Sequence, residues 1–344
     1  MKIWNFGIAG SGLIADFHAR AITSLPNAHL VGICGTNKMK TEALALKYCC
    51  RAFPDSDSMI SSPDIEIITI ATPSGAHMEP AISAAGNGKH ALCEKPLEIS
   101  AERMDRMIEA HEKAGTRLGG IFNYRYHDTL KHIKSAVDNG RFGTITCASV
   151  FVPWWRPAAY YNNSWHGTLR MDGGGALINQ AVHMIDILQY LMGTPESVQA
   201  YTAALGHEIE AEDTATVILR FKKGSLGIIY GTTASWPGQY RRLEITGTSG
   251  TVIQEDNSFR IWQFEQMTEA DNDIISRYST IKGGGGVSDP GSMPYEPHAA
   301  NIEAFIRAVE SGSDFELDAV EARKAVDLVL AAYKSAAELK ICYL

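Results

Sequence analysis

Short apolar runs alternate with stretches of helical periodicity over the first third of the chain. Lys2 to Ala9 is an apolar run that ends in glycines, and Leu13 to Leu25 has helical spacing before Pro26. His29 to Cys34 reads as a second buried strand, and Ile65 to Ala71 as a β-branched run closed by Thr72-Pro73-Ser74-Gly75. Ala91 to Glu94 is a short strand before Pro96, and Ser100 caps a long charged helix through Ala114. Strands separated by helices of this length predict βαβ units and a parallel sheet.

After about Asn123 the texture changes, and strand patterns follow one another: Thr144 to Phe151, Val198 to Ala203, Thr214 to Phe221, Ser225 to Thr233 and Arg242 to Thr246. Lys222-Lys223-Gly224 reads as a hairpin link. The expected fold class is α/β: an N-terminal Rossmann dinucleotide-binding domain over 1–123, then a substrate-binding and oligomerisation domain over 124–344. The second domain would hold an open, mainly antiparallel sheet, with helices from Ala176 to Met192 and from Ala299 to Ser311 on one face. Residues 281–294 are rich in glycine, serine and proline and read as a long loop, either a surface excursion or a lid.

Composition narrows the function classes. A chain of 344 residues is too long for one ordinary core. A net charge of −8 gives nucleic acid or an anionic membrane nothing to be drawn to. No apolar run is long enough to span a bilayer, the N-terminus lacks a signal-peptide pattern, and the six cysteines form no C-x-x-C pair. Cytoplasmic thiols and no metal site are the expectation.

Gly10, Gly12 and Ala15 form G-x-G-x-x-A between the first strand and the first helix. Gly10 permits the tight turn, Gly12 lets backbone approach a pyrophosphate, and Ala15 allows close helix–strand packing. The helix N-terminus then offers unpaired N–H groups to phosphates. A nicotinamide dinucleotide is the expected cofactor. The second strand ends in Gly35-Thr36-Asn37-Lys38 with no acid to hold a ribose hydroxyl, which tilts the expectation toward NADP(H) with NAD(H) left open. Lys38 also reads as a solvated helix-start residue.

Cys93-Glu94-Lys95-Pro96 resembles the E-K-P motif of the Gfo/Idh/MocA oxidoreductases. Asp172-Gly173-Gly174-Gly175 through His183 resembles that family's G-G-x-x-x-D-x-x-x-H, with Asn179 where the family usually has Asp. The stretch from His298 through Ala336 resembles its closing helices, so the likeness spans essentially the whole chain. The resemblance implies hydride transfer between a nicotinamide and a hydroxyl or carbonyl carbon of a sugar, cyclitol or polyol. Lys95 would polarise the reacting oxygen and His183 would carry the proton, with Asn179 hydrogen-bonding beside it. Cofactor contacts are implied at Gly10, Ser11, Gly12, Leu13, Ile14, Gly35, Thr36, Asn37, Lys38, Ala71, Thr72, Pro73, His77, Glu94 and Lys95. Asp186 would either orient His183 or pair structurally.

The segment from Pro153 to Thr168 is unusually aromatic, and its Trp155, Arg156, Trp165 and His166 suit either a sugar or an oligomer contact. Tyr124 and Arg125 at the junction would line the substrate site or serve as a hinge. A homo-oligomer, dimer or tetramer, through the C-terminal sheet is expected. Two rival functions remain: a glycoside-cleaving enzyme that oxidises, eliminates and re-reduces on bound NAD, and a non-catalytic cofactor sensor.

Overall fold

The computed structural model describes residues 2–162, 164–280 and 294–344. They form two compact units, Met1–Asn123 with Pro294–Val326, and Tyr124–Met293 with Asp327–Leu344. The expected division placed everything after residue 123 in the second domain, whereas the structure groups 294–326 with the first unit. The loop or lid expected over 281–294 lies, apart from Pro294, outside the described residues.

The first unit is built on six strands: β1 (Trp4–Ala9), β2 (Ala28–Cys34), β3 (Arg51–Ala52), β4 (Ile67–Ile70), β5 (His90–Cys93) and β6 (Leu118–Gly120). They pair in parallel in the order β3-β2-β1-β4-β5-β6, the doubly wound order of dinucleotide-binding domains. All four residues of β4 are buried, as a parallel strand between two covered faces requires. The helices α1 (Leu13–Ser24), α2 (Lys38–Lys47), α3 (Ser56–Ile60), α4 (Met78–Gly86) and α5 (Ala101–Ala114) fall between the strands. The cap expected at Ser100 is present: its hydroxyl accepts from Arg103 N–H, and Gly115 ends α5 in the left-handed region at φ +66°.

The second unit contributes α6 (Asp128–Asp138), β7 (Ile145–Pro153), α7 (Val182–Met192), β8 (Pro195–Ala203), β9 (Thr214–Phe221), β10 (Leu226–Thr232), β11 (Arg242–Gly247), β12 (Gly250–Glu255), β13 (Ser258–Phe264) and α8 (Glu269–Tyr278). Further along the chain come α9 (Glu296–Ser311), α10 (Ala319–Glu338) and the short β14 (Cys342–Tyr343). The sheet order is β13-β12-β11-β7-β10-β9-β8-β14, antiparallel except for the parallel pair β7 and β10. Strict alternation of buried and exposed residues along β9 leaves one sheet face in the core. The hairpin at Lys222–Gly224 links β9 and β10, with Gly224 at φ +91° donating to Phe221 O.

Two helical expectations need correction. The helix expected from Ala299 lies not on the open sheet but against α1 in the first unit. Its buried face carries His298, Asn301, Ile302, Phe305 and Ile306, and the His298 ring lies 5.7 Å from Phe17 of α1. Asn301 Oδ1 accepts Phe122 N–H beyond the end of β6, a long-range contact that helical periodicity alone does not announce. The helix expected from Ala176 to Met192 is α-helical only from Val182, because Ala176–Ala181 is a π-helical turn. Such turns displace side chains from the 3.6-residue spacing and recur at functional sites. Among the described residues, no helix is long and apolar enough to cross a membrane.

Candidate active site

In the first unit, β1 ends at Ala9 and α1 begins at Leu13, so Gly10, Ser11 and Gly12 make the whole turn. Gly10 sits at φ +133°, and a Cβ there would lie 2.3 Å from Ala71 O. No side chain caps α1 at Gly12, and a Cβ on Gly12 would meet nothing within 4 Å. The first-turn N–H groups thus face an open cradle beside the exposed Leu13, as a bound pyrophosphate needs. Ile14 is half-buried behind it, and a Cβ on Gly35 would lie 2.2 Å from Ser11 Oγ, so a side chain there would force Ser11 to shift.

Thr36, Asn37 and Lys38 are exposed at the end of β2. Asn37 Oδ1 accepts Lys40 N–H as the cap of α2, and Lys38 Nζ lies 3.8 Å from Glu42 with its side chain 87% exposed. These contacts are those of a helix start in water.

β4 delivers Ala71, Thr72 and Pro73, and the buried His77 braces that turn: its Nε2 lies 3.0 Å from Thr72 O and its Nδ1 3.0 Å from Pro96 O. Burial lowers its pKa, while the Thr72 and Pro96 carbonyls oppose that shift by accepting from the charged form. β5 ends at Cys93, and Glu94 then holds the next residue, its Oε2 accepting Lys95 N–H at 3.0 Å. Glu94 Oε1 lies 3.0 Å from His18 Nε2 and 3.5 Å from His298 Nε2. Burial alone would raise this carboxyl, but hydrogen bonds from the two imidazoles outweigh it and hold Glu94 well below the usual range. Burial also lowers His18. The pair is therefore a carboxylate with a neutral imidazole donor.

His18, Glu94 and His298 are the one group among the described residues with three converging metal-type ligand atoms. They are scattered across the chain, so no spacing rule could have found them. Their mutual hydrogen bonds account for the arrangement without an ion.

In the second unit, the glycine run before α7 has a packing cause. A Cβ on Gly175 would lie 1.7 Å from Glu212 O, and one on Gly174 would lie 2.2 Å from the Tyr333 hydroxyl. Glu212 accepts Gly175 N–H, Leu177 N–H and the Tyr333 hydroxyl, which pins the π-turn that carries Asn179. His183, at the start of α7, stacks on Tyr124 at 4.3 Å, and the Arg241 guanidinium covers the Tyr124 ring at 3.9 Å. Asp186 pairs with Arg125, which donates from Nε at 2.8 Å and Nη2 at 2.5 Å. Arg125 is thus buried in an interior ion pair.

Trp165, His166 and Asn179 come together. The His166 ring stacks on Tyr160 at 4.2 Å and lies 4.0 Å from Trp165, while Asn179 Nδ2 reaches both His166 Nδ1 and Asp172 Oδ1. Arg156 is buried near Trp154 and Tyr160, donating to Trp155 O and Gln180 Oε1. Trp155 sits 5.8 Å from His207. Asp172, Gln180 and Glu212 support these positions; Asp172 and Gln180 fall within the glycine-run motif without a role of their own there, and Glu212 lies outside it. An open groove of roughly 560 Å³ elsewhere in this unit, lined by His132, Arg141, Trp262 and Asp271, holds none of the expected residues.

Residues 4–122 match the oxidoreductase family with an NAD-binding Rossmann fold, and residues 130–253 match the GFO/IDH/MocA C-terminal domain. Myo-inositol 2-dehydrogenase of Thermotoga maritima is 30% identical over 73% of this chain and 75% of its own length. The chain belongs to the Gfo/Idh/MocA family. Inositol 2-dehydrogenase of Rhizobium meliloti is 28% identical over 97% of each chain. The crystal structure of the WlbA dehydrogenase from Bordetella pertussis, with NADH and UDP-GlcNAcA, is 32% identical with a TM-score of 0.90, covering 100% of this chain and 98% of that one. This Gfo/Idh/MocA chain is thus an NAD-binding oxidoreductase, and its Gly10–Gly12 cradle fits that cofactor.

Proposed function

We propose that this chain oxidises a secondary ring hydroxyl of a sugar or cyclitol, or reduces the matching ketone, with Lys95 and His183 as its catalytic residues. The observation that carries the reading is Lys95, set just beyond the carboxyl end of β5 by the Glu94 carboxylate, where ligands of open α/β sheets bind. Bound NAD supplies a hydride acceptor. Lys95 polarises the substrate oxygen and stabilises alkoxide character as the hydride leaves carbon. The imidazole of His183, steadied by the Tyr124 ring, takes the hydroxyl proton, so the carbon–oxygen bond becomes a carbonyl and no other proton carrier is needed. Asn179, His166 and Trp165 bind substrate hydroxyls and an apolar ring face; Trp155 and Arg156 flank them.

The relatives named for inositol, and the one solved with UDP-GlcNAcA, support a polyhydroxylated ring as substrate. NAD(H) is the proposed cofactor rather than NADP(H): Lys38 is drawn to Glu42, Asn37 is occupied as a helix cap, and the WlbA structure holds NADH. Following NADH fluorescence while inositols, aldoses and nucleotide sugars are offered tests the reading. Lys95→Met should keep NADH affinity within a few-fold and cut turnover by a factor on the order of 10² to 10³. Wild-type turnover in that variant removes Lys95 from the mechanism, and product without net NADH change points to the glycoside-cleaving alternative.

The proposed assembly is a homo-oligomer through the open sheet face, where Tyr201, Ile218 and Leu226 are more than half exposed. Ile218→Glu should then shift the sedimentation coefficient toward the monomer; an unchanged value places the contact elsewhere. The six cysteines are all free, which accords with a cytoplasmic location.

A further inference from the structure

We propose that Asp172 is a positioning residue that fixes the protonated edge of His166, so that His166 meets the substrate as a hydrogen-bond donor from Nε2 and not as a base. This rests on the reading above that His166 lies at the substrate. Asp172 is buried, and its two oxygens are both engaged: Oδ2 accepts Gly167 N–H at 2.8 Å, and Oδ1 lies 2.6 Å from Asn179 Nδ2. A carboxylate only accepts, so the Asn179 amide must turn its NH₂ toward Asp172. That same NH₂ lies 3.3 Å from His166 Nδ1. Nδ1 lies 3.8 Å from Asp172 Oδ2, beyond hydrogen-bond reach, so the nearer Asn179 NH₂ makes Nδ1 the accepting nitrogen and leaves the ring proton on Nε2. An N–H at Nδ1 would point at the Asn179 N–H.

The ring cannot rotate out of this arrangement easily. Tyr160 stacks on it within 8° of parallel, and Trp165 packs at 4.0 Å. Tyr160 is itself held by Gln180 Nε2 donating to its hydroxyl at 3.1 Å. With Nδ1 turned toward Asn179 and Asp172 and both neighbouring rings fixed, the other nitrogen is the one left to address a ligand. Its partner is an oxygen acceptor, such as a ring hydroxyl or a carboxylate of the substrate.

Exchanging the two side chains separates positioning from simple packing. In the double variant Asp172→Asn with Asn179→Asp, the new amide at position 172 can still accept Gly167 N–H and donate to a carboxylate at position 179, so the cluster keeps its hydrogen bonds. That carboxylate now accepts from His166, which moves the ring proton to Nδ1. Long-range ¹H–¹⁵N spectra at mildly alkaline pH, assigned against His166→Gln, should show Nε2–H in the wild type and Nδ1–H in the exchanged protein. The exchanged protein should melt near the wild-type temperature and bind NADH within about twofold. Its KM for the sugar should nonetheless rise about tenfold, the usual effect of reversing one hydrogen bond, with kcat changing less. Asp172→Asn alone should raise KM similarly; should it fail to fold, the wild-type spectrum and the exchanged protein decide the matter. Nδ1–H in the wild type, or wild-type KM in the exchanged protein, overturns the proposal. If the wild type oxidises no sugar, the functional reading fails while the tautomer spectra still decide what Asp172 does.

Discussion

Each unit pins the backbone of its motif with one buried glutamate, and the two do it with opposite electrostatics. In the first unit Glu94 holds Lys95 N–H and is itself held by His18 and His298; in the second Glu212 holds Gly175 and Leu177 N–H and receives the Tyr333 hydroxyl. Burial pushes both carboxyls up. For Glu94 the imidazoles win and the group stays well below the ordinary range, whereas for Glu212 burial wins and the pKa rises to about 7. The lesson is that a ring of donors does not by itself keep a buried carboxylate charged. At Glu94 the two imidazoles outweigh burial, and at Glu212 backbone amides and a phenol do not. Glu94, beside Lys95, is the charged one, while burial favours the protonated form of Glu212.

Glu94→Gln should have the larger effect. It removes a charged acceptor from two imidazoles and turns an amide N–H toward Lys95 N–H, costing about 2 kcal/mol in urea unfolding near neutrality. Because the folded pKa of Glu94 lies below its unfolded value of about 4.5, its stabilisation is present above that pH and is lost as pH falls further. The gap between wild type and Glu94→Gln should therefore be on the order of that 2 kcal/mol near neutrality and narrow below pH 4.5. Glu212 has the reverse sign. Its pKa is raised from 4.5 to about 7, so the wild type loses stability as pH climbs through that window, by at most about 1.4 kcal/mol per pH unit. Glu212→Gln should flatten that slope. Parallel pH profiles for the two variants would show that the glutamates are alike and break the comparison.

Local chemistry made the first unit legible. The glycine turn, the Ser100 cap and the fully buried β4 are each decided within a few residues, and each was read correctly. What escaped was settled at long range. α9 packs on α1 because Asn301 and His298 find partners some 180 to 280 positions away, and nothing in its own periodicity says so. The π-turn at Ala176–Ala181 follows from Glu212 reaching across to Gly175 and Leu177, so a helical wheel places Asn179 and His183 on one face when the backbone there is not α-helical. Asp172 stands inside a motif yet shows no part of its own in the sequence, since its role depends on where Asn179 turns. One miss had a local signal: Asp256-Asn257 separates two alternating runs and makes the β12–β13 hairpin, with Asp256 at φ +49°.

The smallest expected change tests a carboxylate that pays no burial cost. Thr36 is exposed at the end of β2, one residue before the Asn37 cap of α2. Thr36→Asp adds a negative charge in water near a helix N-terminus, so melting should stay within a degree or two of the wild type, unlike either glutamate variant. Its effect should fall on recognition. A carboxylate there accepts from a ribose 2′-hydroxyl and repels a 2′-phosphate, so the NAD-to-NADP ratio of specificity constants should rise about tenfold. Lys38→Ala supplies the counterpart. With Lys38 drawn to Glu42 and almost wholly in water, its removal should change NADP(H) affinity less than about threefold, the scale of a screened surface charge. A large loss of NADP(H) binding in Lys38→Ala would restore the phosphate-binding role that the sequence alone suggested for this loop. An unchanged ratio in Thr36→Asp would show that the ribose is read somewhere other than the end of β2.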